Sequence, residues 1–142
     1  MNDRFAQPAA QSGPASPIGE RLARLREAMA RAGLAAYIVP SSDPHLSEYL
    51  PVRGQARRWL SGFTGSVGTL VVTADRAGVW VDSRYWVQAQ AQLAGTGIDL
   101  MKMAGGPQAQ AHVDWLAQRL AAGERVGVDG SVLCFVASRT LQ

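Results

Sequence analysis

The polar residues with the clearest chemical potential follow a predicted buried strand, and they are Asp82, Ser83, Arg84 and Tyr85. The strand, Val79–Val81, is apolar and rich in β-branched side chains, and we expect a helix to start at about Arg84. A guanidinium at the end of a strand can hold a carboxylate or a carbonyl through a forked pair of hydrogen bonds. An Arg84–Asp82 ion pair at the surface, of little consequence for stability, is the alternative. Spacing alone does not choose between these two interpretations.

A second group of polar side chains, Asp43, His45 and Glu48, raises the question of a metal site. His45 and Glu48 would share one face of a helix at i, i+3 spacing, but a protein metal site needs at least three ligands. A third ligand is not evident, and His112 is far away along the chain. We therefore expect both histidines to have structural or surface roles, and we predict no metal site.

Three glycines, Gly62, Gly65 and Gly68, recur at intervals of three before the strand predicted at Thr69–Thr73. Glycine-rich loops that cradle phosphate follow a strand and open a helix, and the P-loop adds a lysine. This segment precedes a strand and has no lysine. We therefore interpret the glycines as residues that permit tight turns and close approach of the backbone.

The sequence contains no set of residues typical of a catalytic centre. It has no Gly-x-Ser-x-Gly elbow and no His-Glu-x-x-His motif, and no two of its scattered acidic residues form an obvious metal-binding pair. Cys134 is the only cysteine, which excludes an intramolecular disulfide and favours a reducing compartment. We expect Cys134 to be a small buried residue rather than a nucleophile.

Length and composition are those of one globular domain, with 142 residues of which 47% are hydrophobic and 18% charged. The net charge is +3, but only Arg57 and Arg58 are adjacent basic residues, whereas a nucleic-acid interface needs a cluster on one face. No segment is long and apolar enough to span a membrane, and the first residues lack the apolar core of a secretory signal. We therefore predict a cytoplasmic protein with neither nucleic acid nor a membrane as partner.

The predicted elements alternate between helices and strands. Residues 1–17 are expected to form a disordered tail and residues 18–142 one domain. Ser16 and Gly33 should cap the first helix, whose apolar residues recur at helical spacing. The predicted strands are Ala35–Val39, Thr69–Thr73, Val79–Val81, Ile98–Met103 and Arg125–Val128, with Ala74–Arg76 as the turn of a hairpin and Ala104–Pro107 as a loop.

Helical segments are expected between these strands, at residues 44–49, 57–63, 84–93 and 110–120, and again after a cap at Ser131. The predicted fold class is α/β: a mixed sheet of about five strands with a central antiparallel hairpin and helices on both faces. The last helix runs to Gln142 without a C-cap glycine or a proline, so we expect it to belong to a longer protein.

Several separated motifs resemble the N-terminal domain of Xaa-Pro aminopeptidases (aminopeptidase P), in particular the long form with three domains. The motifs fall in the same order and at similar spacing, and together they cover most of the chain after the predicted tail. The matching segments are Pro40–Tyr49, Arg57–Arg58, Ser61–Thr69, Val79–Trp86, Leu100–Met103 and Arg125–Asp129.

The resemblance implies a creatinase/prolidase N-terminal domain, with a mixed α/β fold related to the ribonuclease H-like arrangement. In that family a separate C-terminal domain carries two divalent metals, commonly manganese, and hydrolyses the bond between an N-terminal residue and a following proline. The N-terminal domain shapes the substrate pocket and helps the enzyme to form a homodimer. The resemblance therefore implies a non-catalytic, metal-free domain whose parent enzyme acts on proline-containing peptides.

The resemblance also identifies candidate substrate-binding residues. Arg84 matches the arginine of the family's Asp-Gly-Arg-Tyr motif, which is associated with the substrate-binding region, although Ser83 stands where relatives often have glycine. Tyr85 and His45 lie in the matching segments, and we expect them to bind substrate with Arg84. No catalytic residue and no metal ligand are expected in this chain.

Two other functions remain open at this point. The first is the N-terminal domain of a creatinase-like or prolidase-like hydrolase, since this domain does not fix the substrate. The second is a stand-alone binding module for an acidic partner or a nucleic acid, which a salt-dependent affinity for DNA or RNA would support.

Overall fold

The structure, a computed structural model, describes residues 16–103 and 110–141. Of the predicted tail, residues 1–17, only Ser16 and Pro17 lie within these ranges, and the predicted loop Ala104–Pro107 lies outside them. The described residues contain a mixed sheet of five strands, which are β1 (Ala36–Val39), β2 (Thr69–Thr73), β3 (Ala77–Val81), β4 (Asp99–Lys102) and β5 (Val126–Val128).

The strand order of this sheet is β4-β3-β2-β1-β5. β2 is antiparallel to both of its neighbours, whereas β1 and β5, and likewise β3 and β4, are parallel pairs. The hairpin of β2 and β3 is therefore flanked on both sides, and β4 lies at one edge of the sheet. Every strand except β2 runs in one direction, so the carboxyl ends of four strands meet at one edge of the sheet, together with the start of β2.

Helices cover both faces of the sheet, as predicted. They are α1 (Pro17–Ala32), α2 (Ala56–Ser61), α3 (Trp86–Leu93), α4 (Ala111–Ala117) and α5 (Phe135–Thr140). One cluster of buried side chains unites the first three helices with one face of the sheet, through residues such as Leu22, Leu60, Leu93, Leu70 and Val79. A second cluster lies on the opposite face and contains Ala36, Ile38, Val71, Trp80 and Leu116. The alternation of Leu70, Val71 and Val72 between the clusters is the period of two expected for a strand buried on both faces.

The first helix confirms the predicted caps. Ser16 Oγ accepts a hydrogen bond from the backbone N–H of Gly19 at 3.2 Å. Gly33 ends the helix with a φ of 66°, and its N–H bonds to the carbonyl oxygens of the last turn. A side-chain acceptor at the start and a left-handed glycine at the end satisfy backbone groups that a helix cannot pair internally.

The predicted helix at residues 44–49 is wrong, because this segment forms a loop. Leu46 has a φ of 53°, which a right-handed helix cannot contain. Asp43 Oδ1 accepts hydrogen bonds from the backbone N–H groups of His45 at 3.0 Å and of Ser47 at 2.8 Å. These local bonds replace the backbone hydrogen bonds of a helix. They form a turn at Asp43 and Pro44, a pair of residues that also resembles the start of a helix.

The last two predicted helices are shorter than expected. Helix α4 ends at Ala117 rather than at Leu120. The final helix begins after Cys134, which is half-buried, and Ser131 does not cap it. Asp129 is the cap of a short 3₁₀ turn, because its Oδ1 accepts hydrogen bonds from the N–H and the hydroxyl of Ser131, at 2.9 Å and 2.7 Å. The sequence signal for a cap is therefore present, but it belongs to a tighter turn.

Candidate functional site

Arg84 follows the carboxyl end of β3, where Asp82 caps a 3₁₀ turn. Asp82 Oδ1 accepts hydrogen bonds from the backbone N–H and from Nε of Arg84, at 3.1 Å and 2.9 Å, and Oδ2 accepts one from Nη2 at 2.9 Å. These bonds lower the pKa of Asp82 and raise the pKa of Arg84. The Arg84 side chain is still 68% exposed, and its Nη1 has no partner in the part of the chain that the structure describes. Both sequence interpretations therefore remain compatible with the geometry: the arginine is paired locally and is also accessible.

Tyr85 connects Arg84 to the loop of three glycines, which we call the glycine-rich loop and define as residues 62–68. The Tyr85 hydroxyl and Ser66 Oγ are 2.6 Å apart and share a hydrogen bond. The Tyr85 ring packs edge-to-face on Phe63, with ring centres 5.9 Å apart, and the Arg84 guanidinium lies 5.4 Å from the centre of the Tyr85 ring. Tyr85 therefore holds both neighbours at the same edge of the sheet.

His45 lies apart from the other two candidates. It is exposed and lines a cavity of about 360 Å³ at the carboxyl ends of β1 and β5, with Tyr37, Asp43 and Asp129. Burial and the negative charge of Asp129 raise the pKa of Tyr37. Arg84 and Tyr85 do not line this cavity. The structure thus brings Arg84 and Tyr85 together and does not add His45 to their group.

A buried arginine on α2, Arg57, holds the glycine-rich loop from inside. Its Nε donates to Ser41 Oγ at 2.8 Å, its Nη1 donates to the carbonyl of Phe63 at 3.3 Å, and its Nη2 donates to the carbonyl of Gly65. The guanidinium also lies 4.8 Å from the centre of the Phe63 ring. Only 5% of Arg57 is exposed. One side chain therefore fixes the end of β1 and two peptide groups of the loop.

Further side chains form hydrogen bonds with the same loop, at Gly68 and at Thr64. Ser41 Oγ donates to the carbonyl of Gly68 at 2.6 Å. The backbone N–H of Thr64 donates to Oε1 of Gln92 at 2.9 Å, and Thr64 Oγ1 accepts hydrogen bonds from the amides of Gln92 and Gln88, at 2.9 Å and 3.0 Å. The loop is thus fixed by contacts from β1, α2 and α3, which makes it a rigid part of the edge.

The structural interpretation of the glycines is confirmed. Gly62 has a φ of 75°, in the left-handed region that favours glycine. A Cβ on Gly65 would lie 2.8 Å from Cδ1 of Tyr85 and would overlap the Phe63 ring. Gly65 therefore lets the backbone approach two aromatic rings closely, which explains the residue type without a bound phosphate.

Sequence reasoning singled out Arg84 and Tyr85 but missed the role of Arg57 and its contact with Ser41. A signal for Arg57 exists in the helix pattern, because Leu60 and Ser61 lie at i+3 and i+4 from it and both are buried. An arginine on the buried face of a short helix needs internal acceptors. Those acceptors are carbonyl groups of a loop, and no sequence pattern reveals which carbonyl groups a fold turns inward.

Two kinds of feature are absent from the described residues. Within residues 16–103 and 110–141, no three His, Cys, Asp or Glu side chains lie close enough together to hold a metal ion. Among the helices in those ranges, none has the length and apolar character needed to cross a membrane.

The chain matches a known family of protein domains over most of its length. The family model described as the creatinase/prolidase N-terminal domain matches residues 21–142. The chain is 45% identical over 109 residues to Xaa-Pro aminopeptidase 2 of Rattus norvegicus, which corresponds to 77% of this chain and 16% of the relative. The chain thus spans about a sixth of the length of the curated relatives it matches.

Solved structures show the same architecture. An X-prolyl aminopeptidase from Caenorhabditis elegans, described as a cytosolic enzyme with a di-nuclear active site, superposes with a TM-score of 0.77 and 38% identity. The match covers 87% of this chain and 22% of that one. The N-terminal domain of a cytoplasmic peptidase from Mycobacterium tuberculosis has a TM-score of 0.64 and 26% identity, and the match covers 86% of this chain and 82% of that domain.

Proposed function

Since this chain belongs to the creatinase/prolidase N-terminal domain family, we propose that it is the non-catalytic N-terminal domain of a metal-dependent Xaa-Pro aminopeptidase. Such an enzyme removes the N-terminal residue that precedes a proline. The observation that carries the proposal is the 45% identity to an Xaa-Pro aminopeptidase over 77% of the chain. A shared fold alone would not support an activity, because one fold serves many functions.

The proposal assigns bond cleavage to a part of the enzyme outside this chain. The Caenorhabditis elegans relative is described as having a di-nuclear active site. Residues 16–103 and 110–141 of this chain contain no cluster of three potential metal ligands. The proposal places the two divalent metals, manganese by the resemblance, in another domain of the parent enzyme, and it assigns no step of the hydrolysis to the residues described above.

The contribution of this domain is to position the substrate. Arg84 is exposed, its orientation is fixed by Asp82, and its Nη1 has no partner in the described ranges. A guanidinium in that state can donate to a carbonyl or carboxylate of a bound peptide without breaking its ion pair. Positioning of this kind matters because a small misplacement of substrate is costly in rate.

Exposed apolar residues support contact with the rest of the enzyme or with a second copy. Leu46, Tyr49 and Val52 are 62%, 81% and 88% exposed, and all three lie in the segment that follows β1 at the same edge of the sheet. Large apolar side chains exposed together in a loop commonly mark an interaction surface. We include in the proposal that the parent enzyme is a cytoplasmic homodimer and that this surface is covered in it.

The test is an Arg84→Ala substitution in a polypeptide that joins this domain to its catalytic domain. We expect kcat/KM for an Xaa-Pro peptide to fall on the order of tenfold, because a contact to substrate is lost. Arg84→Lys keeps the charge but loses the fork, and it should recover only part of the activity. Arg24→Ala, on the exposed side of α1, is the matched control.

The stability of each variant must be measured beside its kinetics. We expect the thermal unfolding temperature of Arg84→Ala to stay close to that of the unsubstituted protein, because an exposed ion pair such as Arg84–Asp82 contributes little to stability. Unchanged kinetics for Arg84→Ala would show that Arg84 is a surface residue and that the proposed substrate contact is wrong.

A further inference from the structure

Arg57 carries a buried positive charge that no carboxylate balances. Within residues 16–103 and 110–141, the only ion pairs are Arg76–Asp99 and Arg84–Asp82. Burial lowers the pKa of Arg57 to about 10, and the charge interaction that opposes this shift comes from the Tyr85 hydroxyl rather than from a carboxylate. A buried charge without a counter-ion is costly, and proteins normally pair it.

The hydrogen bonds of Arg57 leave part of its guanidinium unused. The group has five N–H donors. Three of them bond to Ser41 Oγ, to the carbonyl of Phe63 and to the carbonyl of Gly65. The other two, one on Nη1 and one on Nη2, have no acceptor among the described residues. Each remaining N–H group can donate to a carboxylate oxygen, and a hydrogen bond between two charged groups is stronger than one between neutral groups.

A cavity gives access to this side chain. It has a volume of about 160 Å³, and Arg57 lines it together with the neighbouring cation Arg58. Other polar residues also line it, and they are Ser41, Gln55, Thr64 and Ser66, whose side chains already form hydrogen bonds within the chain. The backbone N–H groups of Gly65 and Ser66 have no hydrogen-bond partner in the part of the chain that is described. The volume suits a small group, and among the lining residues Arg57, Gly65 and Ser66 each have an N–H group without a partner in the described ranges.

We propose that this cavity, between the glycine-rich loop and the segment that precedes α2, binds a carboxylate group that pairs with Arg57. The pairing supplies the counter-ion that the buried guanidinium lacks. The proposal does not depend on the peptidase function, because it rests on the burial, the unused donors and the cavity of this chain alone.

Among the residues that the structure describes, Glu48 is the one acidic side chain that lines the same cavity. It does not fill the proposed role in this structure, because it is exposed and forms no ion pair with Arg57 within 4.0 Å. Its negative charge at the rim would instead weaken the binding of an incoming carboxylate. Removing that charge should therefore tighten binding, which gives the proposal a second measurable consequence.

The test uses acetate as a probe and follows the Arg57 side chain by NMR. Acetate is added to the 142-residue chain, with chloride at matched ionic strength as the control. We expect a saturable shift of the Arg57 Nε–H signal with acetate and none with chloride, at millimolar affinity on the order expected for so small a ligand. If the Arg57 signal does not respond to acetate, the proposal is wrong.

Acetate binding by variants shows whether acetate occupies this cavity or is attracted by the net positive charge of the protein. Arg57→Lys should weaken acetate binding about tenfold or more, because an ammonium group lacks the planar set of five donors that a guanidinium presents. Arg58→Met should weaken it less, and Glu48→Gln should strengthen it severalfold. Equal binding by wild type and Arg57→Lys would overturn the assignment. If Arg57→Lys fails to fold, the wild-type titration and Glu48→Gln still decide the question.

Two compounds distinguish the possible sources of the carboxylate. N-acetylproline presents a terminal carboxylate, and N-acetylaspartate amide presents a side-chain carboxylate. Preferential binding of the first indicates the end of a peptide ligand, and preferential binding of the second indicates an acidic side chain of a protein segment. Failure of both to displace acetate from Arg57 would contradict a site for carboxylates of peptides or proteins.

Discussion

Two arginines at one edge of the sheet have opposite surroundings. Arg84 is largely exposed and has a carboxylate partner, whereas Arg57 is almost fully buried and bonds, within the described ranges, only to neutral oxygens. Burial strengthens the hydrogen bonds of Arg57 and makes it a support for the backbone. Exposure leaves Arg84 free to meet a ligand while Asp82 fixes its direction. The contrast teaches that the residue type does not set the role of an arginine; its solvent access and its acceptors do.

The two arginines are linked through aromatic rings. Arg57 lies against Phe63, Phe63 packs edge-to-face on Tyr85, and Arg84 lies against Tyr85. A substitution of Arg57 should therefore shift the two rings and alter the surroundings of Arg84. A substitution of Arg84 should leave the glycine-rich loop intact. The loss of Arg57 should therefore cost more stability than the loss of a contact made by Arg84.

The largest effect is expected for Arg57→Met. The substitution leaves Ser41 Oγ and the carbonyl groups of Phe63 and Gly65 without their donor, and each unsatisfied buried group is costly. We expect a loss of about 3 kcal/mol in the free energy of unfolding. Urea denaturation measures it.

Arg58→Met is the matched control, because Arg58 is the next residue of α2 and is exposed. Its loss should be within about 0.5 kcal/mol. Equal losses for the two variants would show that Arg57 is not a support of the loop, and the contrast between buried and exposed arginines would then fail.

A smaller effect is expected for Gly65→Ala, which tests the aromatic link itself. The added methyl group would overlap the Phe63 ring and lie 2.8 Å from Tyr85, so both rings must move. We expect a loss of about 2 kcal/mol, the usual cost of overpacking, and a change in the Tyr85 ring signals by NMR.

Gly130→Ala is the control for that substitution. A Cβ on Gly130 meets no atom within 4 Å, so its stability should stay close to wild type. If Gly65→Ala is also neutral and leaves the Tyr85 signals in place, the rings do not constrain one another.

The smallest effect concerns pH and the exposed pair. Hydrogen bonding from Arg84 is the largest cause that lowers the pKa of Asp82 in the folded protein. The stabilisation by the Arg84–Asp82 pair is therefore present above the pKa of an unfolded aspartate, about 4. It is lost as the pH falls through the lower pKa of Asp82 in the folded protein. Asp82→Asn should make the unfolding free energy slightly less sensitive to pH below 4, because it removes this one titration. Identical acid slopes for the two proteins would show that the pair adds nothing to stability.

Much of the fold could be predicted from the sequence, because its signals are local. Ser16 and Gly33 mark the ends of α1, and the β-branched residues of β2 and β3 mark the central hairpin. The error at residues 44–49 has an equally local origin. Asp43 followed by Pro44 suits both a helix start and a side-chain-capped turn, and only the left-handed Leu46 shows which one forms.

The candidate site could be predicted only in part, because its geometry depends on contacts between distant segments. Arg84 and Tyr85 are predicted from a motif whose residues are adjacent in sequence, and their contact with substrate stays a prediction. Arg57 contacts Ser41, which is 16 residues away, and backbone oxygens that carry no residue signature. His45 lies in a matching segment, yet it lines a different cavity from the one that Arg57 lines. Its proposed contact with substrate stays a prediction.

The central claim is that this chain positions a substrate and does not cleave it. The most direct test incubates the purified 142-residue chain with Mn²⁺ and a peptide whose second residue is proline, beside a long-form Xaa-Pro aminopeptidase as a positive control. We predict that the positive control releases the first residue of the peptide and that the chain alone does not. Metal-dependent release of that residue by the chain alone, abolished by a chelator, would contradict the claim.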